Sequence, residues 1–199
     1  MTDAQLEIAI ATARLIADEG LPWGAAKRRA LRDLGLPPRT ALPSNEAVED
    51  ALREHLELFQ ADTQPAELRA LRETALSWMD ELAAFDPLLT GAVWRGTANH
   101  FSDIHLLLYS DDAKAPEIAL LNAGHSPEPG ANERDERGQP LNTLALLVPC
   151  RALNQQVGLL ATVLDTRARR GALLPDARGR RERGDRHELR ALLETPDAT

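Results

Sequence analysis

The side chains of this chain best placed to do chemistry together are Asp103 and His105, in the segment Ser102-Asp103-Ile104-His105-Leu106. Side chains alternate along a strand, so positions i and i+2 project from one face. Two carboxylates in that arrangement would share one or two divalent cations through hard oxygen ligands. Here the second member is an imidazole. It suits zinc, copper, iron or nickel better than magnesium, and its presence removes one negative charge that would hold the cation. A glycine-containing turn, Gly91-Ala92-Val93-Trp94-Arg95-Gly96-Thr97, comes shortly before. Glycine turns let backbone N–H groups approach a phosphate closely. Turn and strand together would hold a nucleoside triphosphate and its metal for in-line attack on the α-phosphorus.

Residues 91–106, GAVWRGTANHFSDIHL, resemble the signature of the nucleotidyltransferase fold, the polymerase-beta-like superfamily in its minimal bacterial form. Gly91 stands at the first glycine position and Ala92 at the position of the phosphate-contacting hydroxyl. Arg95, Gly96 and Thr97 match the basic-Gly-Thr or basic-Gly-Ser segment. Ser102 and Asp103 match the Ser-Asp pair before the second strand. The resemblance implies a small mixed sheet with flanking helices, a nucleoside triphosphate as ligand, and magnesium or manganese as cofactor. It implies catalytic and metal-binding roles for Asp103 and His105. It also implies nucleotide contacts from Gly91, Ala92, Arg95, Gly96, Thr97 and Ser102. A transition metal at Asp103 and His105, with His100 as a further donor, is the alternative that the imidazoles allow.

Four departures from the family pattern bear on activity. Ala92 carries no hydroxyl, and His105 replaces the second carboxylate. Trp94 stands where the family has a small residue and could obstruct a nucleotide pocket. The family also adds an acid on a later core strand, whereas the run Leu141 to Val148 contains none and Asp165 falls just past the next run. The expectation is therefore a divergent nucleotidyltransferase-like protein that binds a nucleoside triphosphate with weak or no nucleotidyl transfer. A non-catalytic regulatory or protein-interaction module of the same fold is the alternative. A third reading is an α+β protein with an ordinary hairpin here and no nucleotide link.

The elements that must position these residues fall into two kinds. Helical spacing of apolar residues predicts helices over Asp3 to Glu19, ended by Gly20, and over Trp23 to Asp33, opened by Pro22. Two more are predicted over Glu46 to Gln60, capped by Ser44 or Asn45, and over Ala66 to Ala84, broken by Asp86-Pro87. From Leu88 the pattern changes to short apolar runs. Leu88 to Trp94, Ile104 to Tyr109, Leu141 to Val148 and Val157 to Leu164 read as strands. Short helices are expected over Ala113 to Leu121 and, capped by Asp185, over Arg186 to Leu193. The Gly- and Pro-rich stretch Ala123 to Pro140 reads as a mobile loop. The fold class is thus α+β: a helical region over residues 1–86, a nucleotidyltransferase-like domain over 87–194, and a tail over 195–199.

Composition narrows the function classes. The chain has 199 residues, a net charge of −8 and one cysteine, Cys150, so an intramolecular disulfide framework is excluded. Acidic residues Asp3 and Glu7 stand early, without a basic-then-apolar signal layout, and no apolar run reaches membrane-spanning length. The expectation is a cytoplasmic protein with no membrane partner; no motif specifies a protein partner. The net charge argues against a nucleic-acid coating role. Nine arginines crowd residues 166–190, but acids are interspersed and no aromatics are interleaved, so the segment reads as a solvated, partly mobile surface. Lys27, Arg28, Arg29 and Arg32 read as a solvated basic helix face.

Overall fold

Thr2 starts the first helix. Its hydroxyl accepts from the Gln5 N–H while the Gln5 side chain accepts from the Thr2 N–H, closing a capping box. Helix α1 (Asp3–Glu19) then runs to Gly20, whose left-handed φ of 65° ends it. Helices α2 (Trp23–Asp33) and α3 (Asn45–Phe59) follow, the latter capped by the Ser44 hydroxyl at 3.2 Å from the Ala47 N–H. Ile8 and Leu15 of α1 pack on Ala26 and Ala30 of α2, and Ala13 and Ala17 pack on Leu52 and Leu56 of α3. One member of the expected basic face is not solvated. Lys27 is only 9% exposed and donates to the Pro43 carbonyl and to Asn45 Oδ1, each at 2.8 Å.

This computed structural model describes residues 1–130, 141–176 and 179–194. The chain forms two compact units, Met1–Ala66 and Glu67–Thr199. Nearly all of helix α4 (Gln64–Glu81) therefore belongs with the sheet, although its sequence pattern grouped it with the first three helices in a region ending at residue 86. The second unit continues with β1 (Leu88–Thr90), α5 (Gly91–Arg95), β2 (Ile104–Tyr109), α6 (Ala115–Asn122) and β3 (Glu128–Pro129). It ends with β4 (Asn142–Cys150), β5 (Gln155–Leu164), β6 (Arg183–Gly184) and α7 (Arg186–Glu194). The strands form one mixed sheet in the order β3-β4-β5-β2-β1-β6. Only β2 and β5 are parallel; the other neighbours are antiparallel.

Period two divides this sheet into two faces. Ile104, Leu106 and Leu108 of β2, with Val157, Leu159 and Ala161 of β5, point to the face covered by Leu71, Ala75, Trp78 and Met79 of α4. Leu120 of α6 and Leu189 of α7 join the same core. Asp103 and His105 alternate onto the other face, together with Gly158 and Leu160 of β5 and Ala145 and Leu147 of β4. Leu147 there is 77% exposed. The far end of that face is closed: Tyr109 is nearly buried, with the Arg169 guanidinium 5.7 Å from its ring centre. Part of the arginine-rich segment is therefore packed rather than merely solvated. Arg169 also donates to Asp86, and Arg180 pairs with Asp176.

Two expectations change. The apolar run Leu88 to Trp94 is not one strand, because β1 stops at Thr90 and residues 91–95 coil into α5. Gly91 at φ 72° leaves the extended region, and Gly96 at φ 85° ends the helix with its N–H on the Ala92 carbonyl. The stretch read as a loop from Ala123 to Pro140 includes residues 131–140, which lie outside the described residues, as does the expected tail. Its described part contains β3, paired with Leu144 and Ala145 of β4.

Candidate functional site

A tight turn delivers Asp103 to the start of β2. The Ser102 N–H donates to the Asn99 carbonyl at 2.9 Å, and the Asn99 N–H donates to Ser102 Oγ at 3.1 Å. Asn99 Oδ1 accepts from the Phe101 N–H at 3.1 Å. Ser102, expected to contact nucleotide, thus has its hydroxyl engaged in the turn. Asn99, 97% buried, is its unforeseen counterpart. Beyond this turn the Asp103 side chain extends toward β5 over Gly158, where any added Cβ would overlap the carboxylate.

The register places Thr90 opposite His105, and so Gly91 comes to rest beside the His105 ring. A Cβ on Gly91 would stand 3.5 Å from His105 Cδ2, an ordinary contact distance. Gly91, Asp103 and His105 are therefore brought into one neighbourhood on the face opposite the core. The rest of the expected turn is directed elsewhere. Arg95 reaches Glu182 at 3.5 Å, Gly96 lies against Leu68 and Arg72, and Thr97 is 4% exposed. Trp94 is turned away to β6. Its ring lies against Gly184, with Nε1 donating to the Arg181 carbonyl at 2.8 Å.

Arg72 of α4 holds this helix in place. Its Nε donates to the Val93 carbonyl at 3.1 Å and its Nη2 to the Trp94 carbonyl at 3.3 Å, satisfying acceptors left over at the end of α5. His100 is bound in the same way to the start of α4. Glu67 accepts from the His100 N–H at 2.9 Å and lies 3.1 Å from Nδ1, while Gln155 donates to the His100 carbonyl. His100 is thus drawn to Glu67 rather than into a metal set with Asp103 and His105. Neither Arg72 nor Glu67 was distinguishable from any other charged residue of an amphipathic helix.

The donor set can be tested against the expected cation. Asp103 and His105 face Gly158 and Leu160 of β5, neither of which carries a ligand atom in its side chain. Asp165, just past the end of β5, caps the turn after it by accepting from the Arg167 N–H at 2.8 Å, and Asp111 beside it accepts from the Thr166 hydroxyl. Among the described residues no three His, Cys, Asp or Glu side chains gather where they could hold a metal ion. One carboxylate and one imidazole do not fit a pair of magnesium ions, which require several oxygen ligands in near-octahedral geometry. Cys150 is buried, 3.4 Å from the Thr74 hydroxyl and far from any role in this set.

No known protein-family pattern matches the chain, and no curated protein does. What the fold defines by itself is an α+β protein with a mixed sheet covered by helices on one face. Among its described residues, no helix is long and apolar enough to cross a membrane.

Proposed function

We propose that this protein is a divergent relative of the nucleotidyltransferase fold that binds a nucleoside triphosphate on the uncovered sheet face without two-metal nucleotidyl transfer. The observation that carries the reading is the convergence of Gly91, Asp103 and His105 on that face. It is produced by a strand, a short helix begun by glycine and a second strand, where the sequence resemblance implies a glycine turn between two strands. The glycine, with no Cβ, brings its backbone beside the His105 ring. Asp103 is available for a sugar hydroxyl or a single cation. The bare Gly158 and the apolar Leu160 and Ala145 offer a floor rather than further ligands.

Isothermal titration of ATP, CTP, GTP and UTP, each with magnesium or manganese, tests the binding. Saturable heat from at least one nucleotide that is lost in Asp103→Ala supports the reading, and its absence in all four removes it. A labelled-triphosphate transfer assay on the same proteins tests the second half. Robust transfer by the wild type that disappears in Asp103→Ala would identify a working enzyme instead.

A further inference from the structure

Among the described residues, strand β4 is paired along its whole length on one side and along only a fraction of the other. Its register with β5 runs from Asn142 to Cys150, whereas β3 covers only Leu144 and Ala145. The direction of the remaining groups follows from one bond. Gly130 donates to the Thr143 carbonyl at 2.7 Å, so Thr143 faces β3, and by alternation so do Ala145, Leu147 and Pro149. Proline at position 149 agrees, because no N–H is needed on that side. The N–H and C=O of Leu147 and the C=O of Pro149 therefore point out from the edge, beyond the last β3 pair.

A groove of about 1140 Å³ runs along this edge. Glu73, Ser77 and Glu81 of α4 stand along it on the core side, and Leu147, Leu160 and Asp103 on the opposite side. Glu128 stands at the end of β3. The carboxylates of Glu73, Glu81, Glu128 and Asp103 line it beside Arg151; Glu73 also pairs with Arg69 at 3.0 Å, and Glu81 is hydrogen-bonded to His125. Exposed strand edges attract added strands, and natural proteins usually blunt them with lysine, proline or a covering segment. Here the edge carries acid around it, with Pro149 at its end and no lysine among the described residues of the groove.

We propose that the β4 edge docks an extended basic segment of another protein by strand addition, continuing the line of β3. The peptide residue opposite Leu147 shares its face and meets Leu147 and Leu160. Its neighbours point toward Glu73 and Glu81. The fitting sequence therefore alternates an apolar residue with lysine or arginine. The inference is argued from the main chain of β4 and the wall of α4, and it shares Asp103 and Leu160 with the nucleotide reading.

The test is fluorescence anisotropy with a labelled hexapeptide of alternating lysine and valine. Its controls are an alternating glutamate–valine peptide and a block peptide of three lysines followed by three valines. Binding of the alternating basic peptide at least about tenfold tighter than either control is expected. Leu147→Pro removes an outward N–H without touching the β5 ladder and should weaken binding about tenfold. Glu73→Gln/Glu128→Gln should weaken it several-fold and flatten its salt dependence. If Leu147→Pro does not fold, N-methylation of alternate peptide residues removes the ladder from the other side. Equal binding of the block peptide, or indifference to both edge changes, overturns the proposal. A concentration-dependent dimer abolished by Leu147→Pro would overturn it too, since the occupant would then be a second copy.

Discussion

The carboxylate of Asp103 lies across the α-carbon of Gly158, close enough that a methyl group built there would stand 2.8 Å from Asp103 Cγ. Strand β5 thus presents, beneath Asp103, the one residue type that lets its carboxylate lie down on the sheet. Gly158→Ala forces the carboxylate up or the strands apart and should cost about 1–3 kcal/mol. In an Asp103→Ala background the same change should be nearly neutral or mildly stabilising, since alanine restricts the unfolded chain more than glycine. Denaturant unfolding of the four proteins of this cycle checks it. Equal costs in both backgrounds would show that the two residues do not couple.

Gly184 has a comparable relationship with Trp94, whose ring covers its α-carbon with Cζ2 2.6 Å from where a Cβ would lie. Gly184→Ala should expel the ring and break the bond from its Nε1 to the Arg181 carbonyl. The chain has three tryptophans, so three indole N–H resonances are expected. That of Trp94 should shift strongly while those of Trp23 and Trp78 stay in place.

Burial pushes the Lys27 ammonium below its ordinary value of 10.5, since its two acceptors do not restore the lost hydration in full. Between the lowered folded value and 10.5 the unfolded chain binds a proton that the folded chain does not. Stability from this group therefore rises with pH through that window. Burial pushes the Tyr109 hydroxyl up, against the opposing pull of Arg183 and Arg169, so Tyr109 acts in the other direction above its ordinary value of 10.0. That contribution cancels when wild type is compared with Lys27→Met. The difference in unfolding free energy, wild type minus Lys27→Met, should become more favourable as pH rises toward 10.5, as read by urea titration followed by circular dichroism. A difference that falls with pH would refute the assignment.

His105→Asp would give the strand two carboxylates on one face, beside Gly91. Manganese affinity should rise by about tenfold or more, because a hard anionic ligand replaces a neutral one. Titration of the free ion by electron paramagnetic resonance measures this without any need for turnover. An unchanged affinity would mean that Asp103, lying toward Gly158, cannot reach a cation shared with position 105.

The helices were legible because their signals are local. Gly20 and the apolar stripe bound α1 at Asp3–Glu19, and α2 at Trp23–Asp33 is bounded likewise by Pro22 and Gly35. Asp185 caps α7 as expected, accepting from the Glu188 N–H while Glu188 accepts from the Asp185 N–H. β2 and the shared face of Asp103 and His105 were legible from period two alone. Helix α5 was not, since five residues show less than two turns and its Val93-Trp94 pair reads as continued strand. The two-residue strands β3 and β6 are too short for any periodic signal. Gly158 stood in plain view within an apolar run. Its meaning depends on lying across from Asp103, and that follows only from the parallel register of β2 with β5. The grouping of α4 with the sheet was hidden for the same reason: an apolar stripe says that a helix needs a partner but not which one.

That parallel pairing also has a consequence for how the chain acquires its shape. β1 and β2 are joined through α5 and one turn and can pair early, as can β4 and β5, separated by a single short turn. Ile104, however, must wait for Leu159 to be synthesised, with α6, β3 and β4 in between. Until then the nascent β1–β2 hairpin exposes an unsatisfied central edge, and Asp103 has nothing to lie against. Formation of the candidate site is therefore tied to a non-local event in the assembly of the sheet, the pairing of strands whose partners lie 55 residues apart. A chain interrupted before β5 would carry the whole 91–106 motif and still lack the floor beneath it.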